Sequence, residues 1–183
     1  MDNRPLVLLD FDGCLNPDSI PSPDFVANGA YDDFVEHKIT IKYSGGYRER
    51  YKVFISQKQV NDLKSLGVDI CWLTSWLRVG VNRIEAIFGY PGFSTVFHYL
   101  DHLDLRPKMF EEFNEYKLAV FEELSKIRPI IWIDDEAISL YRSKNNILEK
   151  KNSDKHLYIE PDSAIGITSN HINNIKYYLS SFQ

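Results

Sequence analysis

Carboxylates follow two apolar segments of this sequence at the point where each segment ends. Asp10 and Asp12 come directly after one segment, and Asp134 and Asp135 come directly after another. Like charges brought close together repel each other, so such a cluster persists only with a cation among the carboxylates. Oxygen ligands alone favour a hard ion, and Mg²⁺ typically binds through one or two carboxylates, several waters and substrate phosphate. If the two segments are neighbouring strands, we expect Mg²⁺ as the cofactor at this point.

Such a cluster suits phosphoryl transfer. A carboxylate beside a metal can attack phosphorus and form an aspartyl-phosphate, and a second carboxylate two residues on can exchange protons with the leaving oxygen and with water. Each motif also has a plain structural explanation. Asp12 followed by glycine is common in turns, Asp134 can lie at a helix N-terminus, and Thr74 can cap a helix. The motifs favour a shared site only when they are taken together.

The elements that must position these groups are alternating strands and helices. Short, continuously apolar segments predict strands buried on both faces, and apolar residues three and four apart predict helices. This alternation indicates an α/β fold, a Rossmann-like three-layer sandwich with a central parallel sheet, which binds ligands at the carboxyl ends of its strands. The predicted strands are 6–9, 68–73, 95–99, 130–133 and 156–159, and the predicted helices are about 57–66, 77–88, 111–127 and 169–179.

Local signals refine three of these segments. Ser56 and Gln59 fit a capping box at the start of the first helix. In the helix over 111–127 the spacing directs Ile127 inward, together with Val120 and Leu124. The charged and Asn-rich segment 142–154 is predicted as a surface excursion.

Between the first two strands lies an insertion, at about residues 16–55. A loop rich in proline and aspartate is predicted over 16–36, and residues 38–55 alternate as the two strands of a hairpin. A three-residue loop pairs Lys42 with Arg48 and keeps like faces together, whereas a two-residue Gly-Gly turn would mix the faces. We therefore expect the three-residue loop. The insertion is too small for a large helical cap, so the prediction is one domain, 1–183, with a hairpin flap.

The bulk composition is that of an ordinary globular chain. Its 183 residues carry a net charge of −5, so no overall positive field would draw it to nucleic acid or to an anionic membrane. The two cysteines, Cys14 and Cys71, form no disulfide framework and indicate a reducing compartment. No signal-like segment or apolar run of about 20 residues is present. We expect a cytoplasmic protein with no membrane contact and no evident protein partner.

Four motifs, in this order, resemble those of the haloacid dehalogenase (HAD) superfamily. They are Asp10-Phe11-Asp12-Gly13, Leu73-Thr74, a lysine ahead of the fourth strand, and Trp132-Ile133-Asp134-Asp135. Longer patterns resemble the HAD domains associated with Swiss Army Knife RNA repair proteins. These patterns are Asp-x-Asp-Gly-x-Leu-Asn-Pro at 10–17, Trp-x-Thr-x-Trp at 72–76 with Asn82 after it, Trp-Ile-Asp-Asp-Glu at 132–136 and Gly-Ile-Thr-x-x-His at 166–171.

The resemblance implies a HAD-like fold with a minimal cap and a role for each matching residue. Asp10 would be the nucleophile and a Mg²⁺ ligand, and Asp12 the general acid and base, with its backbone carbonyl on the metal. Asp134 would complete the metal site, with Asp135 either as a water-mediated ligand or as an orienting residue, and the sequence leaves open which of the two binds the metal directly. Thr74, with Ser75 beside it, would bind the phosphoryl group.

A lysine would neutralise charge on the nucleophile and on the phosphoryl oxygens. Lys117 has the sequence context closer to the family, but Lys108 also precedes the fourth strand, and the sequence leaves this choice open. Asp101 and His102 lie in a loop that we expect to overhang the site.

The flap suggests the substrate class. Superfamily members with little cap leave the site open to polymers, and one face of this hairpin is predicted to carry five basic residues. Opposed like charges are destabilising, and an anion would relieve them, so Arg48 and Arg50 are candidate contacts for an RNA or DNA backbone. A solvated basic edge that discourages aggregation explains the same residues. The five residues are Lys38, Lys42, Arg48, Arg50 and Lys52.

The expected activity is that of a Mg²⁺-dependent phosphatase acting on a nucleic-acid end or a nucleotide phosphate. Two alternatives stay open: a phosphatase for a small phosphorylated metabolite and a non-catalytic phosphate-binding module.

Overall fold

The computed structural model describes residues 4–42, 45–89, 93–95, 113–145 and 155–182. Within these ranges strands and helices alternate along the chain outside the hairpin, as the sequence predicts. In chain order the elements are β1 (Leu6–Leu9), α1 (Pro23–Ala27), β2 (Phe34–Lys42), β3 (Arg48–Ser56), α2 (Gln57–Lys64), β4 (Asp69–Trp72), α3 (Leu77–Phe88), β5 (Ser94–Thr95), α4 (Phe113–Ile127), β6 (Ile130–Ile133), α5 (Ala137–Lys144), β7 (Leu157–Ile159) and α6 (Ser169–Ser180).

The centre of the described fold is a five-stranded parallel sheet with the strand order β5-β4-β1-β6-β7. Strand β1 lies between β4 and β6, and its last residue, Leu9, pairs with Trp72 on one side and with Ile133 on the other. All four residues of β1 and all four of β6 are completely buried. Continuously apolar strands of this kind are covered on both faces, which confirms the predicted α/β class.

Two hydrophobic clusters cover the two faces of the sheet. Successive side chains of β1 point to opposite faces, so Val7 and Leu9 belong to one cluster and Leu6 and Leu8 to the other. The first cluster includes buried residues of α2, α3 and α6, and the second includes buried residues of α4 and α5. The molecule is therefore the predicted three-layer sandwich.

The hairpin has the predicted register. Lys42 pairs with Arg48 and Lys38 pairs with Lys52, which is the pairing of the three-residue loop. The inward face, with Ile39 and Ile41 buried, joins the first hydrophobic cluster. Tyr43 and Ser44 lie outside the described residues.

Several predicted boundaries were wrong. The short helix α1 lies inside the predicted loop 16–36, β2 begins at Phe34 rather than at residue 38, and α5, whose last residues lie in the predicted surface excursion, was not predicted. Of the predicted third strand, only its first residue, Thr95, lies in a described strand, and residues 96–99 are outside the described ranges.

Two predicted side-chain positions were also wrong. Ile127 is 63% exposed, because α4 ends at this residue and the chain turns towards β6. The Ser56 hydroxyl accepts from the Gln59 N–H at 3.0 Å, but the Gln59 side chain does not complete a capping box. It is buried and donates instead to the carbonyl oxygen of Ile167 at 2.9 Å.

No helix within the described ranges combines the length and the apolar character that crossing a membrane requires.

Candidate active site

The pairing of β1 with β6 places two carboxylates side by side. Leu9 pairs with Ile133, and the backbone N–H of Asp10 donates to the carbonyl oxygen of Ile133 at 3.0 Å. Asp10 and Asp134 are therefore the first residues beyond two adjacent strand ends. Asp10 is 6% exposed and Asp134 is fully buried. Two buried carboxylates on neighbouring strand ends require compensating positive charge or hydrogen bonds.

Lys117 supplies part of that charge. It lies on the buried face of α4, and its ammonium forms ion pairs with Oδ2 of Asp10 and, at 2.7 Å, with Oδ2 of Asp134. The ring of Phe113, one turn earlier, lies 5.9 Å from the ammonium, within the range of a cation–π contact. Lys117 is thus held on three sides by groups that favour its charged form.

Backbone N–H groups bind the remaining carboxylate oxygens. Phe11 N donates to Asp10 Oδ1 at 2.6 Å. Glu136 N and Ala137 N donate to Asp134 Oδ1 at 3.0 and 2.7 Å, where α5 begins. A carboxylate at a helix N-terminus is stabilised by these donors and by the helix dipole. Asp134 is therefore fixed in orientation as well as buried.

Burial shifts the pKa values of the cluster. Burial raises the pKa of Asp10 to about 7, and the charge of Asp134 adds to this rise while Lys117 opposes it. The pKa of Asp135 rises to about 6 for the same reasons, burial first and Asp134 second. Burial alone would lower the pKa of Lys117, but Asp10 and Asp134 hold it above its ordinary value. Lys117 is therefore a permanent cation, whereas Asp10 readily holds a proton in the metal-free protein.

The cluster fits a hard divalent cation. Asp10, Asp134 and Asp135 each offer a carboxylate oxygen, and these oxygens lie within 4.8 Å of one another. One buried ammonium faces these three carboxylates, so a divalent ion would balance the excess negative charge. Gly13 leaves room for this arrangement, since a Cβ atom there would lie 2.1 Å from Asp135 Oδ2.

Asp12 has a different environment. It is exposed, and both of its carboxylate oxygens accept hydrogen bonds. Asn16 Nδ2 donates to Oδ1 at 2.7 Å, and Trp76 Nε1 donates to Oδ2 at 2.6 Å. The two aspartates of the first motif are therefore separated: Asp10 faces Lys117, and Asp12 faces a tryptophan and an asparagine.

A cavity of about 280 Å³ opens over the cluster. Ser75 lines it, whereas Thr74, at the end of β4, is 6% exposed and is not among the lining residues. Arg48 and Arg50 do not line it either, because they lie on the exposed face of the hairpin. Lys108, Asp101 and His102 lie outside the described residues. The cavity is lined by Asp10, Asp12, Ser75, Phe113, Asn114, Lys117, Asp135 and Glu136.

These groups lie within a segment of the chain that matches a known protein family. The family model of the HAD domain in Swiss Army Knife RNA repair proteins matches residues 6–172. The chain belongs to this family. HAD domains typically use a divalent metal, in agreement with the acidic cluster, and the family supports phosphohydrolase activity of the HAD type. Comparisons with curated proteins and with solved structures give no match.

The last motif of this HAD domain supports the loop that carries Asp12. Ile167 N donates to the carbonyl oxygen of Cys14 at 2.8 Å, and the Gln59 side chain bonds the carbonyl of Ile167. Gly166 has a φ of 74°, and a Cβ atom there would lie 2.5 Å from Cys14 O. Glycine at this position therefore lets the two chain segments approach closely.

Four groups of the HAD domain site have weaker signals in the sequence. Trp76 and Asn16 belong to the longer sequence patterns, but the sequence assigns no role to either side chain. Asn114 and Glu136 line the cavity and lie 3.4 Å apart, Nδ2 to Oε2. Asn16 lies four residues after Asp12, and Trp76 lies two residues after Thr74 at the same sheet edge. This spacing is the sequence signal that places both residues near the site.

Proposed function

We propose that this HAD domain is a Mg²⁺-dependent phosphohydrolase that acts through an aspartyl-phosphate on Asp10. Its substrate would be the phosphate at a nucleic-acid end or on a nucleotide. The supporting observation is the position of Asp10, which lines the cavity, is ion-paired with Lys117 and lies within a cluster of three carboxylates. A candidate nucleophile, a fixed cation and candidate ligands for a divalent ion thereby lie together at the ends of two adjacent strands.

The metal would be held by Asp10, Asp134 and Asp135, and the backbone carbonyl of Asp12 is a further candidate ligand. When bound, Mg²⁺ would supply positive charge to the phosphoryl oxygens. The buried Lys117 ammonium would add a second positive charge on the side of α4. Positioning and charge stabilisation of this kind provide most of the rate acceleration in phosphoryl transfer.

In the first step an Asp10 carboxylate oxygen forms a bond to phosphorus while the bond from phosphorus to the ester oxygen breaks. Asp12 gives a proton to the departing ester oxygen, and Thr74 and Ser75 bind the transferring group. In the second step water attacks phosphorus, Asp12 takes a proton from that water, and inorganic phosphate leaves Asp10 as a free carboxylate. The proton that Asp12 gives in the first step is thus recovered in the second.

The hairpin supports a polymeric substrate. Lys42 lies opposite Arg48, and within the described ranges neither these two residues nor Arg50 has a carboxylate partner. Lys52 differs, since its ammonium lies 3.5 Å from Glu36. Lysine and arginine on an exposed face bind the phosphates of a nucleic acid without reading its sequence. Because this face is outside the cavity, it would contact the backbone away from the phosphate that is removed.

Phosphate release tests the proposal. Wild-type protein with Mg²⁺ should hydrolyse an aryl phosphate and a 3′- or 5′-phosphorylated oligonucleotide, and Asp10→Asn should abolish both reactions. A panel of sugar phosphates and nucleotides distinguishes a polymer-end phosphatase from a metabolite phosphatase. Unchanged turnover in Asp10→Asn would exclude the proposed nucleophile.

A further inference from the structure

The residues that bond the Asp12 carboxylate are themselves in contact with strand β3 of the hairpin. Asn16 is the first of them. Its Nδ2 donates to Asp12 Oδ1 at 2.7 Å, and its Oδ1 accepts from the backbone N–H of Phe54 in β3 at 2.7 Å. The Asn16 amide therefore connects the hairpin backbone to one oxygen of Asp12 with two hydrogen bonds of ordinary length.

Trp76 makes the second connection. Its Nε1 donates to Asp12 Oδ2 at 2.6 Å, and its ring packs against the ring of Tyr51 in β3, with centroids 4.8 Å apart. The ring also makes an edge contact with Phe11 at 5.3 Å. A Cβ atom at Gly80 would lie 2.8 Å from the indole, so the ring fits closely over the first turn of α3. Contacts on several sides leave this indole little freedom to turn.

These two bonds are not needed to satisfy an isolated buried charge. Asp12 is exposed, so water would bond its oxygens equally well if neither donor were present. What the two donors add is direction, since they fix both oxygens of a side chain that would otherwise rotate freely. A proton donor in phosphoryl transfer depends on such placement, because a displacement of about 1 Å is enough to cost on the order of 100-fold in rate.

We infer that Asn16 and Trp76 are positioning residues that orient the Asp12 carboxylate towards the leaving oxygen. The hairpin sets this orientation through the contacts of Phe54 with Asn16 and of Tyr51 with Trp76. The kinetic consequence rests on the proposed function, in which Asp12 is the general acid. The geometric part is that Trp76 bonds the Asp12 carboxylate while its ring packs against the hairpin, and this part is independent of any activity.

Leaving-group dependence tests the kinetic part. 4-Nitrophenyl phosphate needs little protonation of its leaving oxygen, whereas an alkyl phosphate needs a proton donor. The kcat/KM value covers the steps up to departure of this oxygen, so the ratio of the two kcat/KM values reports on the acid. Trp76→Phe should lower kcat/KM for the alkyl ester on the order of tenfold more than for the aryl ester. Asn16→Asp, which keeps an acceptor for Phe54 N but loses the donor to Asp12, should change the ratio in the same direction.

Trp72→Phe is the matched control. Trp72 also contacts Phe11, with centroids 6.1 Å apart, and its Nε1 also donates to a carboxylate, that of Glu85 at 2.9 Å. This variant should lose stability without changing the ratio of the two esters. Tyr51→Leu should change the ratio. Tyr51→Phe keeps the ring against Trp76, so its ratio should equal that of the wild-type protein. Equal ratios in Trp76→Phe and Trp72→Phe would overturn the inference.

The indole N–H signals in a ¹H–¹⁵N spectrum test the geometric part without any turnover. Asp12→Asn should move the Trp76 indole signal upfield and leave that of Trp72 in place, because only Trp76 loses a charged acceptor. If the Trp76 indole signal does not move in Asp12→Asn, the inference is overturned. If no ester is hydrolysed but the signal moves, the proposed function fails while the hold of Trp76 on Asp12 is confirmed.

Discussion

The ammonium of Lys117 lies 2.7 Å from Oδ2 of Asp134 and is also ion-paired with Asp10, so a single cation is shared between the ends of two adjacent strands. Asp135 brings a third carboxylate oxygen to within 4.8 Å of the other two. The lysine therefore offsets only part of the negative charge. The remainder is the physical basis for expecting a divalent ion at this position.

Removing this lysine should be costly. Lys117→Met leaves Asp10 and Asp134 without their shared cation, and breaking a buried pair in this way typically lowers the free energy of unfolding by about 3–5 kcal/mol. Urea denaturation measures the loss, and added Mg²⁺ should restore part of it. Lys126→Met is the control, since Lys126 lies on the same helix and pairs with Glu123 while 65% exposed. It should cost less than about 1 kcal/mol, and equal losses in the two variants would contradict the role of Lys117.

Mg²⁺ binding should depend on pH with a defined sign. The pKa of Asp10 is about 7 and that of Asp135 about 6, both above the ordinary 3.8, so the folded metal-free protein holds more protons than the unfolded chain between about pH 4 and 7. The contribution of this site to the free energy of unfolding therefore falls as pH rises through that window. Mg²⁺ must displace these protons, so its affinity rises over the same window.

Calorimetric titration of Mg²⁺ in buffers of different ionisation enthalpy measures this proton release directly. Release should be clear at pH 6 and small at pH 8, and Asp135→Asn should release fewer protons than the wild-type protein. Proton uptake on Mg²⁺ binding would contradict this prediction. An affinity for Mg²⁺ that is constant between pH 5.5 and 8 would contradict it as well.

Gly13→Ala should weaken the metal site beyond its effect on the backbone. Gly13 and Gly67 share a φ of 66°, but a Cβ atom at Gly13 would lie 2.1 Å from Asp135 Oδ2, whereas one at Gly67 meets nothing within 4 Å. Both variants should incur about 1–2 kcal/mol of backbone strain. Only Gly13→Ala should also reduce Mg²⁺ affinity, by about tenfold or more, because Asp135 must move. Equal Mg²⁺ affinities in the two variants would show that Asp135 is not a ligand.

Neutralising the exposed face of the hairpin should affect polymers alone. Arg48→Gln with Arg50→Gln should weaken binding of a single-stranded oligonucleotide and reduce the slope of log K against log salt by about 0.7 for each lost phosphate contact. Hydrolysis of an aryl phosphate should be unchanged. Lys64→Gln with Lys176→Gln changes the net charge equally on α2 and α6, where both lysines are exposed. The same loss on every substrate, or in both double variants, would remove the hairpin from substrate binding.

Much of the scaffold followed from local pattern. Continuously apolar strands and the aspartates that follow them identify the sheet and its carboxyl edge. In the hairpin, Gly45 and Gly46 have φ values of 104° and 85° and allow the loop that sets the pairing of Lys42 with Arg48. The sequence left the choice between Lys108 and Lys117 open, although spacing places Lys117 on a buried helix face. Lys117 precedes the buried residues Val120 and Leu124 by three and seven positions, so it lies on the apolar face of α4.

The remaining features depend on contacts between distant residues. The bond from Trp76 to Asp12 spans 64 positions, and the bond from Gln59 to Ile167 spans 108. A tryptophan at the start of an amphipathic helix is typical of a core, whereas here the packing of Tyr51 and Phe11 against its ring accompanies a bond from its N–H to Asp12. Such bonds are fixed by tertiary packing and leave no periodic trace in the sequence.

The most direct measurement is to trap the phosphorylated enzyme. Wild-type protein mixed with a phosphate ester and Mg²⁺, quenched in acid within one turnover and reduced with borohydride, should carry homoserine in place of aspartate at position 10, as read by peptide mass spectrometry. Asp12→Asn, which slows hydrolysis of the intermediate, should increase its yield. Homoserine at any other aspartate, or rapid release of phosphate with an unmodified Asp10, would contradict the central claim.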